Sequence, residues 1–223
     1  MQTIQIAIDG PSGAGKSTMA KLLSQRLGIM YLDTGAMYRA LALKAIRLGI
    51  DTRDSEKISC LLPQLDIKIA FQDGSQKVIL DGEDVSGLIR TDQISMGASN
   101  VSAIPEVRKR LVELQQRIAC NNSVVMDGRD IGTHVLPQAS IKIFLTASAH
   151  ERALRRFREL KEKGLLTKTF EKLKKEIETR DYNDSHREAS PLRQAKDAIL
   201  LDTSDLSIDQ SVEKILEIVR VKV

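Results

Sequence analysis

Five short apolar runs recur along the chain, each rich in Ile, Val or Leu, and they predict buried β-strands. They cover residues 4–8, 29–32, 123–126, 141–145 and 198–201. Near-continuous apolar runs are typical of strands that are covered on both faces. Segments with helical periodicity separate the runs, so the pattern predicts an α/β fold built on a parallel sheet with right-handed crossovers.

The helical segments can be placed from their apolar spacing and from the polar residues at their starts. Apolar residues recur at helical spacing in residues 18–27, 36–48 and 106–119. A Ser followed three residues later by Glu or Gln has the spacing of a capping box, and it marks two further helix starts at Ser148 and Ser207.

One stretch between the second and third predicted core strands departs from this alternation. Residues 66–71 and 77–80 are short β-like runs around Asp-Gly-Ser at 73–75, which is typical of a hairpin. We therefore predict a small, partly antiparallel insert over residues 63–100. Such inserts commonly carry substrate contacts, because ligands bind in the loops at a sheet edge. The remaining residues, 1–62 and 101–223, are assigned to the core.

Length and composition indicate a soluble globular protein. The 223 residues suffice for one large domain or for a core with an insert, and a hydrophobic content of 42% is too high for a mainly disordered chain. No apolar stretch approaches the roughly 18 residues of a membrane span, and the N-terminus lacks the features of a secretory signal. Two cysteines provide neither a disulfide framework nor a zinc site. We therefore expect a cytoplasmic protein without membrane association.

The positive charge is concentrated in one segment. Residues 151–196 hold 14 Lys and Arg against nine Asp and Glu, whereas the rest of the chain is nearly neutral. Such a run is either a solvated helical surface or a surface that meets nucleotide phosphates or nucleic acid. With no Trp, three Tyr and four Phe, the chain offers little for bases to stack on, which argues against single-stranded nucleic acid.

The sequence GPSGAGKS at residues 10–17 matches the phosphate-binding loop G-x-x-x-x-G-K-[ST], between a predicted strand and a predicted helix. Its glycines let backbone N–H groups point at phosphate oxygens, and the following helix presents its positive end. Lys16 would compensate charge on the β- and γ-phosphates of ATP, and Ser17 Oγ can ligate Mg²⁺. Asp127 ends an apolar run as in a Walker-B strand, and it is either a direct metal ligand or an indirect or purely structural group.

This motif predicts that the protein binds a nucleoside triphosphate, but it does not indicate which reaction uses that nucleotide. Regulatory GTPases need an [NT]-K-x-D element, which the chain lacks, and motor or helicase ATPases usually need a longer chain. A small kinase is therefore favoured. An acceptor with its own phosphate requires several arginines, because two phosphates repel each other and must be neutralised in fixed geometry. Arginines that follow predicted strands or lie in the basic segment are Arg39, Arg129, Arg180 and Arg187.

Four sequence blocks together resemble the bacterial cytidylate kinase family. They are IDGPSGAGKST at 8–18, LDTGAMYR at 32–39, DGEDV at 81–85 and DGRDIGT at 127–133, in order along nearly the whole chain. The resemblance implies ATP-dependent phosphorylation of CMP and dCMP by a monomeric cytoplasmic enzyme. It also implies an adenylate-kinase-like P-loop fold of three layers. That fold has a five-stranded parallel sheet, an insert that binds the nucleoside monophosphate, and a helical lid at residues 152–168.

Carried over to this chain, the resemblance assigns residues to each part of the two nucleotides. ATP would be bound by Gly10, Pro11, Ser12, Gly13, Ala14, Gly15, Lys16, Ser17, Thr18 and Arg156, with Ser17 on Mg²⁺. The acceptor phosphate would be bound by Arg39, Arg129 and Arg187 with Ser12 nearby, the sugar by Arg180 and Asp184, and the cytosine by Ser99, Arg108 and Asp130, with Thr34 and Tyr38 lining the pocket. The catalytic set would be Lys16, Arg39, Arg129 and Arg187. No general base is required, because the acceptor phosphate oxygen is already anionic near neutral pH.

Two other functions stay open on the residues alone: a kinase of another phosphorylated or hydroxylated metabolite, and a P-loop ATPase that binds nucleic acid through the basic segment. Single positions also have structural interpretations, since Ser99 can satisfy backbone near a helix end and Arg180 can pair with Asp181 on the surface. For the lid, we expect its arginines to repel one another until phosphates bind, with Gly164 as a pivot. These arginines are Arg152, Arg155, Arg156 and Arg158.

Overall fold

The structure is a computed structural model, and it describes residues 3–72 and 75–222. Its strands, in chain order, are β1 (Gln5–Asp9), β2 (Met30–Asp33), β3 (Ile67–Gln72), β4 (Ser75–Leu80), β5 (Glu83–Asp84), β6 (Val124–Gly128), β7 (Ile141–Thr146) and β8 (Ile199–Asp202). Its α-helices are α1 (Lys16–Leu27), α2 (Thr34–Arg47), α3 (Ser55–Leu61), α4 (Asp92–Val101), α5 (Pro105–Cys120), α6 (Ala149–Glu162), α7 (Phe170–His186) and α8 (Ile208–Lys222).

Five strands form one parallel sheet in the order β2-β6-β1-β7-β8. All five predicted core strands are confirmed, with ends that differ by one or two residues. The three central strands are almost fully buried, as their largely apolar sequences predict. Register brings the ends of neighbouring strands together, since Asp33 pairs with Asp127 and Asp9 pairs with Gly128. Carboxylates from three strands therefore meet at the carboxyl edge of the sheet.

A second, antiparallel sheet of three strands, β3-β4-β5, lies within the predicted insert. The predicted hairpin is confirmed as a strand pair, while its turn residues 73 and 74 lie outside the described residues. The insert is packed on the core through α2, whose apolar side chains share one buried cluster with β4, α4 and α5. The division of the chain at residues 63 and 100 stays a prediction.

Helix starts follow the polar signals in the sequence. Ser207 and Gln210 exchange hydrogen bonds as a complete capping box, and Ser148 Oγ accepts a hydrogen bond from the backbone N–H of Glu151. Pro105 is the first residue of α5. Within the described ranges, no helix is long and apolar enough to cross a membrane.

Candidate active site

The phosphate-binding loop connects β1 to α1 and packs directly against β7. Gly10 has a φ of 150°, and a Cβ atom there would lie 1.9 Å from the carbonyl oxygen of Leu145, so only glycine fits. Lys16 begins α1 and donates a hydrogen bond to the carbonyl of Pro11 at 2.6 Å, inside the loop. Burial and the neighbouring Arg129 lower the pKa of Lys16, so the site favours an anion beside it.

Oxygen ligands suited to Mg²⁺ lie next to this lysine. Ser17 Oγ donates to Asp127 Oδ2 at 2.7 Å, and the Tyr31 hydroxyl donates to Asp127 Oδ1 at 2.9 Å. Burial and the charge of Asp33 raise the pKa of Asp127. Among the described residues no group of three or more His, Cys, Asp or Glu could hold a metal alone. A hydroxyl with one carboxylate fits Mg²⁺, which binds to few protein ligands when nucleotide phosphates supply the others.

A cavity at the carboxyl edge of the sheet collects nearly all residues predicted for the acceptor. Its lining includes Lys16, Thr34, Tyr38, Arg39, Ser99, Arg108, Arg129, Asp130, Arg180, Asp184 and Arg187. Ser12 lies instead on an adjoining cavity, which it shares with Arg39 and Arg180. Ser17, Asp33, Gly35, Ala98, Ser102, Asp127 and Gly128 complete the lining. None of these residues was predicted from the sequence to bind the acceptor.

One side of this cavity is strongly positive. Arg129 donates from Nε to Asp184 Oδ2 at 2.6 Å, and the carboxylate of Asp184 is buried. Burial, together with Arg129, lowers the pKa of Arg180 to about 10. The Nε atoms of Arg39 and Arg180 are buried without a hydrogen-bond partner among the described residues. Orphaned buried donors call for an explanation, and a polar ligand in this cavity is one. The surface ion pair considered for Arg180 is therefore wrong.

The other side of the cavity holds a buried ion pair. Arg108 Nη2 donates to Asp130 Oδ2, and Arg187 Nη2 lies 3.5 Å from the other carboxylate oxygen of Asp130. Arg108 also donates to the carbonyl of Ser102 at 3.3 Å, and its guanidinium lies 5.7 Å from the ring centroid of Tyr38. Only 5% of Asp130 and 4% of Arg108 is exposed, so their orientation is fixed before any ligand binds. This arrangement offers an acceptor and a donor to a planar polar group.

The family model for cytidylate kinase matches residues 6–221. The chain belongs to the cytidylate kinase family. A cytidylate kinase from Caldicellulosiruptor bescii is 55% identical over 98% of this chain and 96% of its own length. One from Leuconostoc mesenteroides is 52% identical over 98% and 97%. The predicted family and enzyme class are therefore confirmed.

Solved structures with low sequence identity show the same fold. A shikimate kinase from Bacteroides thetaiotaomicron has a TM-score of 0.51 at 16% identity, covering 97% of this chain and 98% of that chain. A gluconokinase from Sinorhizobium meliloti has a TM-score of 0.52 at 12% identity, covering 98% and 93%. These likenesses concern the fold alone, and they confirm the predicted P-loop α/β class.

Three of the four arginines of the predicted lid have oxygen partners in this member of the cytidylate kinase family. Arg152 is buried, donates to the carbonyl of Ser12 at 2.8 Å and pairs with Asp181 at 2.6 Å, so it supports the phosphate-binding loop. Arg155 donates to the carbonyl of Thr203 at 2.5 Å. Arg156 contacts Glu159 and Asp92 and lines a cavity with the phosphate-binding loop. The expected mutual repulsion is therefore wrong for Arg152 and Arg156, whose charges are paired with carboxylates, while Arg158 is exposed. The lid itself stays a prediction.

Asp9, which the sequence analysis missed, connects the two nucleotide loops. It ends β1, and its carboxylate accepts hydrogen bonds from the backbone N–H groups of Ile131 and Gly132, both at 2.7 Å. These two residues directly follow Arg129 and Asp130. Burial raises the pKa of Asp9 to about 6. Asp9 stands next to the motif at 10–17, but no sequence signal reveals a backbone partner more than 120 residues away.

Proposed function

We propose that this enzyme transfers the γ-phosphoryl group of ATP to CMP or dCMP, giving CDP or dCDP. The observation that carries the proposal is a single cavity in which Lys16 of the phosphate-binding loop faces a cluster of arginines and a buried Arg108–Asp130 pair. Membership of the cytidylate kinase family supports the same reading. The active form is proposed to be a monomer.

The donor side supports ATP binding with Mg²⁺. The loop from Gly10 to Ser17 would surround the phosphates, and Lys16 would contact the β- and γ-phosphoryl oxygens. Mg²⁺ would be held by Ser17, with Asp127 beside it, and would supply charge neutralisation between the phosphates. Arg156, which lines the cavity on the outer side of this loop, would contact ATP.

The positive side of the acceptor cavity suits the phosphate of a nucleoside monophosphate. Arg39 and Arg129 on this side would bind it together with Arg187, which lies beside Asp130 on the other side of the cavity, and Ser12 lies on the adjoining cavity with Arg39. Asp184, held by Arg129, would accept a hydrogen bond from the sugar together with Arg180. Transfer then needs alignment and charge stabilisation rather than proton removal, since the attacking oxygen is anionic.

The buried pair supports cytosine rather than another base. Cytosine offers an N4 amino donor beside the N3 and O2 acceptors, which matches a carboxylate next to a guanidinium. Asp130 would accept from N4, while Arg108 and Ser99 would donate to the ring acceptors. Thr34 and Tyr38 line the same cavity. A uracil would place a carbonyl against Asp130 and leave a buried polar group unpaired, which is costly.

The test is direct product analysis. Enzyme, Mg²⁺, CMP and ATP labelled in the γ-phosphate should give CDP labelled in its β-phosphate, and Lys16→Ala should reduce the rate by roughly 100-fold or more while remaining folded. Lys214 on the exposed face of α8 lines neither nucleotide cavity and provides a matched control, so Lys214→Ala should keep most of the activity. The absence of labelled CDP, or wild-type turnover by a folded Lys16→Ala variant, would contradict the proposal.

A further inference from the structure

We propose that Asp33 is a positioning residue that sets the orientation of Arg39 toward the acceptor phosphate and ties that orientation to the insert. The inference rests on the proposed function, because it takes Arg39 to contact the phosphate of CMP. Asp33 ends β2 and lines the cavity, with its carboxylate largely buried.

The two carboxylate oxygens of Asp33 have separate partners. Oδ1 accepts from the backbone N–H of Ala36 at 3.0 Å, which caps α2. Oδ2 accepts from Arg39 Nη2 at 2.6 Å. Arg90 Nη2 lies farther from the same oxygen, at 3.6 Å. Oδ1 therefore caps the helix, and Oδ2 holds the side chain of Arg39.

This contact defines which edge of Arg39 remains for a ligand. Nη2 is occupied by Asp33, whereas Nε is buried and has no partner in the described part of the chain. Nη1 packs over the backbone of Gly35, where an added Cβ atom would lie 3.0 Å from it. A guanidinium held by Asp33 at Nη2 and backed by Gly35 at Nη1 has one defined orientation in the cavity, which lowers the entropy lost when phosphate binds.

Asp33 is itself fixed by the insert. The side chain of Gln76 on β4 accepts from the backbone N–H of Asp33 at 2.7 Å and donates to its carbonyl at 3.3 Å. Arg90, in the short 3₁₀ turn Leu88–Arg90, adds the weaker contact to the carboxylate. Two elements of the insert thus contact the residue that holds Arg39. The position of the insert is therefore coupled to the geometry of phosphate binding.

Asp33→Asn separates the two roles of this side chain. Asparagine is as good a helix cap as aspartate, so its oxygen can keep the bond to Ala36, while its NH₂ group replaces the acceptor for Arg39. Hydrogen bonds to charged groups contribute about 1.5–3 kcal/mol, so we expect kcat/KM for CMP to fall by about 10-fold or more. The KM for ATP should stay within about twofold. Asp54→Asn makes the same change at the cap of α3 and should leave all these constants unchanged.

A double-mutant cycle with Arg39→Ala tests whether Asp33 acts through Arg39. If it does, Asp33→Asn should change kcat/KM for CMP by less than about twofold once Arg39 is absent. An equal loss in both backgrounds, or no loss beside wild-type Arg39, would overturn the inference while leaving the proposed function intact. Failure of the wild-type enzyme to phosphorylate CMP, measured in the same assay, would overturn both.

Gly35→Ala provides a second variant that does not depend on the folding of Asp33→Asn. Gly35 lies in the first turn of α2, where alanine favours the helix, so thermal stability should be kept or raised. The added Cβ would lie 3.0 Å from Arg39 Nη1 and 3.3 Å from Asp33 Oδ1, so these groups must shift by a few tenths of an ångström, and kcat/KM for CMP should fall by less than in Asp33→Asn. A stable Gly35→Ala enzyme with wild-type kinetics would contradict the role assigned to this orientation.

Discussion

Asp130→Asn is the substitution that most sharply tests how the cavity recognises the base. The change keeps the size of the side chain but turns one carboxylate oxygen into an amino group. Asp130 Oδ2 is paired with Arg108, whereas Oδ1 is contacted only at 3.5 Å by Arg187 among the described residues. Oδ1 is therefore the oxygen with free capacity to accept a hydrogen bond from the N4 amino group of cytosine.

The expected magnitude follows from this burial. A hydrogen bond to a buried carboxylate contributes about 1.5–3 kcal/mol, which corresponds to a loss of about 10- to 150-fold in kcat/KM for CMP. UMP should lose less or gain, because the new amino group can donate to O4 of uracil. The ratio of kcat/KM for CMP to that for UMP should therefore fall by about 10-fold or more.

A coupled ATP-consumption assay with both acceptors in one enzyme preparation provides the ratio. Because each ratio comes from one sample, it does not depend on the fraction of folded enzyme, which matters since the variant leaves Arg108 and Arg187 less compensated. Asp184→Asn is the matched control, being a buried aspartate in the same cavity that is proposed to contact the sugar. It should reduce both acceptors in proportion. An unchanged ratio in Asp130→Asn would refute base recognition by Asp130.

Three further predictions concern motion, metal binding and pH. Hydrogen exchange in residues 152–168 should slow when ATP and CMP analogues bind together, mainly beyond Arg156; equal exchange in both states would argue against a lid. Tyr31→Phe removes one hydrogen bond to Asp127, so the Mg²⁺ concentration for half-maximal activity should rise about two- to tenfold, and an unchanged value would exclude this support. Because burial raises the pKa of Asp9 to about 6 from an ordinary value of 3.8, its proton is bound more tightly in the folded state. Its contribution to stability should fall by about 1 kcal/mol per unit between pH 4 and 6, relative to Asp9→Asn in urea unfolding; parallel curves would contradict the shift.

The apolar pattern alone predicts the core of this fold because each central strand is buried on both faces. Residues 124–126 are an example, since Val124, Val125 and Met126 follow one another without a polar position and all three are fully buried. The phosphate-binding loop is also recognisable from the sequence, because its pattern occupies the contiguous residues 10–17, although the contact with Leu145 that requires glycine at Gly10 joins segments far apart in the chain. Features set by neighbours in sequence are thus the ones that sequence reasoning predicts well.

Contacts between segments that are distant along the chain could not be predicted from the sequence. In the sequence, Gln76 is an ordinary polar residue of a short strand. In the structure, its side chain forms a hydrogen bond with the backbone of Asp33, 43 residues earlier. From the sequence alone, the charges of Arg152 and Arg155 were expected to repel each other. In the fold, each side chain donates a hydrogen bond to a backbone carbonyl oxygen of a distant segment. The positions of these partners depend on the sheet order, which no local pattern encodes.

This enzyme is expected to phosphorylate a cytidine monophosphate in this cavity, and a kinetic comparison of acceptor nucleotides is the decisive test. Initial rates with ATP, Mg²⁺ and CMP, dCMP, UMP, AMP or GMP, each over a range of concentrations, give kcat/KM for every base and for both sugars. We expect CMP or dCMP to have the highest kcat/KM and the purine nucleotides to be poor acceptors. A purine nucleotide as the best acceptor, or no transfer to either cytidine nucleotide, would contradict it.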